Sequence, residues 1–248
     1  MLACYGPTHL DVTLARMRRK FRAEVAQVPR RLRYRETLTG SGKAVGRHVK
    51  QSGGHGQYAI AHLELEPLAP GEGFVFQDKI VGGAVPRQFI SSVEKGVRDA
   101  MAHGVLAGYP VVDVLARLVD GKAHSVDSSD MAFQVAGALA FKLAAEQAGV
   151  TLLEPIMEVE VSAPDVYVGD LLGDVSARRG RILGTDQVLP GRTTVRALVP
   201  EGELASYVTD IRSITSGSGT VRMQHAHHDR VPEQQTARLV EEARKTAS

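Results

Sequence analysis

Apolar residues recur along this chain with two periods, and the period switches several times. From His9 to Val25, Leu10, Leu14, Met17 and Phe21 are spaced four, three and four apart, which predicts a helix with one apolar stripe. One helix cannot bury that stripe against itself, so the chain reads as if it begins in the middle of a domain. From Tyr34 the pattern becomes strand-like. Val45 to Gln51 alternates, Gly53, Gly54 and Gly56 interrupt, and Tyr58 to Glu66 alternates again, which predicts a hairpin with a glycine-containing loop. Gly73 to Ile80 is a short strand candidate. Ile90, Val93, Val97 and Met101 predict a helix from Phe89 to Ala102. Tyr109 to Val119 is a strongly apolar strand that Asp120-Gly121 should break, leaving a polar loop from Lys122 to Ser129. Ser128 or Ser129 is placed to cap a helix from Asp130 to Ala148, with Gly149 to close it.

A second unit starts near Leu152. Ile156 to Val161 reads as a strand, Val166 to Arg179 as a helix, and Gly180 to Gln187 and Thr193 to Pro200 as strands about Gly191. Glu203 to Thr215 reads as a helix and Thr220 to His228 as a strand. The order β-α-β-β-α-β is that of a ferredoxin-like split βαβ unit. An amphipathic helix, Glu233 to Lys245, follows Pro232. The fold class expected is therefore α+β.

Composition adds little until charge is mapped. The chain has 248 residues, 43% of them apolar, which suits one large or two ordinary domains. A single Cys excludes an internal disulfide and fits a reducing compartment. No stretch approaches the ~18 uncharged apolar residues of a membrane span. The net charge of +2 hides an asymmetry: residues 16–35 hold nine Lys/Arg against Glu24, leaving 21 basic and 27 acidic residues elsewhere, a net of −6. A local basic cluster can attract phosphate.

Four segments carry candidate chemistry. Gln51-Ser52-Gly53-Gly54-His55-Gly56-Gln57 could let backbone N–H groups approach a phosphate, or could be a plain hairpin turn. It is no Walker loop, and it opens into a strand, so it lacks a helix dipole. Lys122-Ala123-His124-Ser125-Val126-Asp127-Ser128-Ser129 contains Ser, His and Asp, but a hydrolytic triad is assembled from separate elements, and no G-x-S-x-G elbow occurs. A polar loop ending in a helix cap is the plain alternative. His225-Ala226-His227-His228 puts His225 and His227 on one strand face, without clear third and fourth metal ligands, so no metal site is expected. Arg178, Arg179, Arg181 and Arg212 sit at helix ends, where they complement the dipole or touch a phosphate backbone.

Taken in order, several blocks resemble the C-terminal part of bacterial translation elongation factor G. Gly6-Pro7-Thr8-His9-Leu10-Asp11 with Arg16-Met17 resembles the last helix of that family's third domain, and Tyr34-Arg35-Glu36-Thr37 its junction to the fourth. Gln51 to Tyr58 is similar to one loop at the fourth domain's tip, and His124 to Ser129 with Ala132-Phe133 to the other. Gly82-Gly83-Ala84-Val85-Pro86 and Leu106 to Asp113 resemble that domain's body. Leu153-Glu154-Pro155-Ile156-Met157, Gly169-Asp170 and Arg178-Arg179-Gly180 resemble the fifth domain. The resemblance implies four regions: 1–34, a remnant of a third-domain ferredoxin fold; 35–151, an elongated fourth domain; 152–231, a ferredoxin-like fifth domain; and 232–248, a C-terminal helix and tail.

The resemblance also implies a function. The fourth domain would enter the decoding region of the small ribosomal subunit, its tip loops contacting the tRNA–mRNA duplex during translocation. Gln51, Ser52, Gly53, Gly54, His55, Gly56, Gln57, Lys122, His124, Asp127 and Ser128 would be the contacting residues. Arg178, Arg179, Arg181 and Arg212 would be secondary contacts to ribosomal RNA near the large-subunit GTPase centre. The expected protein is cytoplasmic and monomeric, touches no membrane, and is not itself an enzyme. It needs no cofactor in this chain, GTP and magnesium belonging to a GTPase domain that these residues do not contain. His55 stands where the family usually has Arg. A paralogue, a ribosomal protection or stress factor of the same architecture, and a small enzyme using the glycine loop and His124 as a phosphate site are the alternatives.

Overall fold

The computed structural model describes residues 7–25, 32–50 and 56–247. They form two compact units, one from residues up to 33 with 155–227, the other from 34–154 with 228 onward.

The second of these units is built on hairpin geometry. β1 (Arg35–Leu38) pairs antiparallel with the first residues of β6 (Val150–Pro164), Arg35 opposite Leu153. β2 (Gly42–Lys50) and β3 (Gln57–Pro67) form the expected hairpin, with Gly42 opposite Leu65 and Lys50 opposite Gln57. β4 (Phe74–Asp78) lies parallel to β5 (Val114–Ala123), and α2 (Arg87–His103) makes the crossover between them. The sheet order is β2-β3-β5-β4.

α3 (Asp130–Ala148) has the bounds its sequence predicts. Ser129 Oγ accepts from the Ala132 N–H at 3.2 Å, and Gly149 ends it at φ 76°. The helix is alanine-rich because it lies directly on strand backbone. A Cβ at Gly46 of β2 would stand 1.9 Å from the Ala136 carbonyl oxygen, so only glycine fits there. Ala59, Ala61, Leu63 and Leu65 of β3 meet Phe133, Ala136, Ala140 and Phe141 of α3 in one buried core.

Two expectations for β5 are corrected. Asp120-Gly121 does not break the strand: Gly121 pairs with Ala61, Lys122 with Ile60 and Ala123 with Ala59, and a register shift at His62/Leu63 absorbs the irregularity. Lys122 therefore lies on a strand, not in a loop. The strand also begins at Val114, not Tyr109. The backbone N–H groups of Val105, Leu106, Ala107 and Tyr109 donate to the Glu36 carboxylate at 2.6–3.1 Å, and that segment forms a loop.

The other unit has the predicted order. β6 is followed by α4 (Val168–Ala177), β7 (Arg181–Leu189), β8 (Arg192–Pro200), α5 (Tyr207–Ile214) and β9 (Thr220–Arg230). β6 pairs with both β8 and β9, and β7 with β8, giving the order β7-β8-β6-β9 of a ferredoxin-like sheet. Val159, Val161, Leu171, Val175, Val195, Ala197, Val199, Tyr207 and Ile211 form its core. Both helices start later than periodicity suggests, because 3-10 turns at Asp165–Tyr167 and Glu201–Leu204 precede them.

α1 (Pro7–Phe21) ends four residues short of expectation, where Arg22 adopts φ 50°. Leu10, Leu14 and Met17 are half-buried and Phe21 is 75% exposed, so no residue of the stripe reaches full burial. α6 (Glu233–Ala247) belongs to the unit of β1 to β5. Among the described residues no helix is long and apolar enough to cross a membrane.

Candidate functional site

The hairpin β2–β3 and the segment after β5 end at the same place, because β3 pairs with both neighbours along its length. Gln51 to His55 lie outside the described residues. The next residues, Gly56 to Tyr58, are joined to the second segment by a chain of hydrogen bonds. The Gly56 N–H donates to Asp127 Oδ1 at 3.0 Å, and the Tyr58 N–H donates to the Asp127 carbonyl at 2.8 Å. Ser128 Oγ donates to the Tyr58 carbonyl at 2.6 Å and accepts from the His124 N–H at 2.9 Å. Gln57 Oε1 meets His48 Nε2 at 2.7 Å.

Asp127 holds His124 as well. Asp127 Oδ2 lies 3.2 Å from His124 Nδ1 and accepts from it when that nitrogen carries a proton; when it does not, the backbone N–H groups of Val126 and Asp127 donate to it from 3.4 and 3.3 Å, and the imidazole tilts over Tyr58 with ring centroids 5.9 Å apart. The imidazole is nonetheless half exposed, at 51%, while Asp127 behind it is 32% exposed. A ring anchored at Nδ1 leaves Nε2 as its free edge. With Ser125 and Val126 exposed beside it, the segment presents His124 outward on a braced backbone.

This geometry can recognise a ligand and cannot act as a triad. Ser128 Oγ is bonded to backbone and does not address the imidazole, so no activated hydroxyl results. Among the described residues no group of three or more His, Cys, Asp and Glu is placed to hold a metal ion, and His225 to His228 lie along β9.

The four secondary arginines separate. Arg178 faces inward: its guanidinium meets Asp174 Oδ2 at 2.9 Å and Asp210 Oδ2 at 2.8 Å, donates to the Glu203 carbonyl at 2.7 Å, and stands 5.0 Å from the Tyr207 ring centre. Two carboxylates and the Glu203 carbonyl thus occupy much of its guanidinium, and the side chain is 18% exposed. Its pKa is raised by the hydrogen bond it donates to Asp174 and then by the one it donates to Asp210, against desolvation. Ser206 and Arg178 hold the Asp210 carboxyl below its usual range, and burial pushes the Tyr207 hydroxyl up to about 12. Arg179, at φ 59° just past α4, pairs with Glu203 at 3.0 Å. Arg181 and Arg212 are exposed.

Sequence reasoning overlooked Glu36 and Asp113. Glu36 is fully buried, and Asp113 Oδ1 accepts from the N–H groups of Gly71 and Gly73 at 3.1 and 2.8 Å. An acidic residue inside a short strand, and another amid Val111 to Leu115, were the available signals.

Residues 30–149 match the family description of elongation factor G, domain IV, and residues 151–239 match the elongation factor G C-terminus. An elongation factor G-like protein of Mycobacterium tuberculosis is 52% identical over 239 residues, and elongation factor G of Aquifex pyrophilus is 50% identical over 237. Each match takes in 96% of this chain and 34% of the relative, so the chain spans about a third of the length of these relatives. A crystal structure from Thermus thermophilus superposes with a TM-score of 0.89 at 38% identity, covering 97% of this chain and 36% of that one.

Proposed function

Taking as premise that this chain belongs to the elongation factor G family, with that family's domain IV and C-terminal domain, we propose that it is the ribosome-contacting part of a translation factor that promotes tRNA–mRNA translocation. The observation that supports this most is the bracing of His124 by Asp127, which also ties the glycine loop to it through Gly56. Recognition of a moving RNA duplex needs exposed polar groups on backbone that does not yield, and this end of the β2–β3–β5 sheet supplies them.

In this reading Gln51 to Gln57, Lys122, His124, Asp127 and Ser128 act together toward the tRNA–mRNA duplex, Gln57 and Lys122 from strands and His124, Asp127 and Ser128 from the segment after β5. Arg181 and Arg212 are the exposed candidates for ribosomal RNA in the large-subunit GTPase centre. The chain works by contact and leverage in the cytoplasm, as a monomer. It carries out no bond-making step, and GTP with its magnesium ion is handled by another domain of the factor.

The test is sedimentation with ribosomes at low salt, with competition against a full-length elongation factor G. Pelleting that the full-length factor displaces is the expected result. No pelleting, or pelleting indifferent to the competitor, contradicts the proposal.

A further inference from the structure

The face of the β2–β3–β5 sheet turned away from α3 carries two cross-strand rows of the same design. Far from the tip, Lys43, Glu64 and Arg117 stand opposite one another; nearer the tip, Arg47, Ile60 and Lys122 do. Both rows flank a central residue with two cations. In the far row the cations are neutralised within the sheet, Lys43 by Glu64 at 2.6 Å and Arg117 by Glu66 at 2.5 Å. In the near row the central carboxylate is replaced by isoleucine, so Arg47 and Lys122 face no acid across the ladder, and both are exposed. Between the rows, Asp120 lies opposite His62 and accepts from the Gly121 N–H at 2.8 Å. Beyond the near row come Val49, 43% exposed, and Tyr58, whose ring meets His124.

We propose that this near half of the sheet face binds single-stranded RNA, with Arg47 and Lys122 on phosphates and Tyr58 as a stacking surface. Cations that face no acid across the ladder supply sequence-independent affinity, and an aromatic ring beside them accepts any base. An acidic protein segment would use the cations but gain little from the ring, so RNA fits better. The inference deepens the ribosomal reading and rests on it in one respect, that the surface is continuous with the proposed tip.

The test is fluorescence anisotropy of the whole chain with a labelled twelve-nucleotide oligouridylate. Binding should weaken with salt. The double substitution Arg47→Glu/Lys122→Glu should cut affinity at least about tenfold, and substitution of both by Gln should lower the log–log salt slope by about 0.7 for each phosphate no longer neutralised. Tyr58→Leu should cost about fivefold or more. Lys43→Gln, in the far row, should bind like wild type, and matching unfolding midpoints would show that the variants fold. Absence of salt-sensitive binding, wild-type binding by the double variant, or tighter binding of an oligoglutamate peptide overturns the inference. Ribosome pelleting separates the two readings. Pelleting without oligouridylate binding removes only the sheet face; oligouridylate binding through Arg47 and Lys122 without pelleting supports the sheet face and removes only the ribosomal role.

Discussion

Two loops of the same unit are each organised round one carboxylate, and they differ in what that carboxylate leaves outside. Glu36 is fully buried and takes four backbone N–H groups from Val105 to Tyr109, so its loop is closed onto the core. Asp127 is a third exposed and takes one backbone N–H from Gly56 while its other oxygen holds His124, so its loop is closed onto a side chain that still faces solvent. The first arrangement is scaffold. The second is presentation, in which rigidity serves an exposed group.

The largest effect that could break this contrast is at Glu36. Glu36→Ala should leave four buried donors without a partner and lower stability by at least about 3 kcal/mol, measured by urea unfolding. A loss below about 1 kcal/mol would mean that the loop does not depend on the carboxylate.

Arg178→Ala comes next. It leaves Asp174 and Asp210 side by side without their cation and should cost about 2 kcal/mol, while ribosome pelleting by the folded protein stays near wild type. Reduced pelleting at full folding would show that Arg178 also contacts the ribosome. The same cluster sets an acid limit. The folded-state pKa of Asp210 is depressed below its ordinary 3.8, so its contribution is present above that value and disappears as pH falls through the lower, folded value. Acid unfolding below about pH 3.8 should therefore be less steep in Asp210→Asn.

At the tip the order of effects should invert. Asp127→Ala should lower stability by no more than about 1 kcal/mol, since it loses one partly exposed backbone bond and one imidazole contact. Competition for ribosomes should nevertheless weaken several-fold, because His124 and Gly56 lose their common anchor. Unchanged competition would show that the bracing has no functional weight.

The smallest effect is expected at Tyr207, whose hydroxyl is buried without a hydrogen-bond partner among the described residues. Its pKa is raised to about 12, so stability is complete below the ordinary value of 10.0 and declines as pH rises toward 12. Tyr207→Phe should leave neutral stability unchanged or slightly higher and flatten that alkaline decline. A loss above about 1 kcal/mol at pH 7 would reveal a bond to the hydroxyl.

Periodicity alone determined most of the elements. The hairpin, α3 with its serine cap and glycine stop, and the β-α-β-β-α-β order all come from local rules, because caps, turns and alternation act within a few residues. The candidate residues His124, Asp127, Ser128 and Gln57 were also legible, as polar clusters between apolar runs. Tertiary structure decided the rest, and in each case the cause was a partner distant in sequence. β5 runs on through Gly121 because β3 offers it a ladder, and Tyr109 stays out of the strand because Glu36, 73 residues earlier, takes its N–H. Arg178 turns inward because Asp210 lies 32 residues away in sequence yet within 2.8 Å. The same holds for Arg47, Ile60 and Lys122: alternation places each on a strand face, but only the register of three strands sets them side by side. Local composition carries the pattern of a chain; which charges end up neutralised and which remain exposed depends on contacts that only the folded backbone brings together.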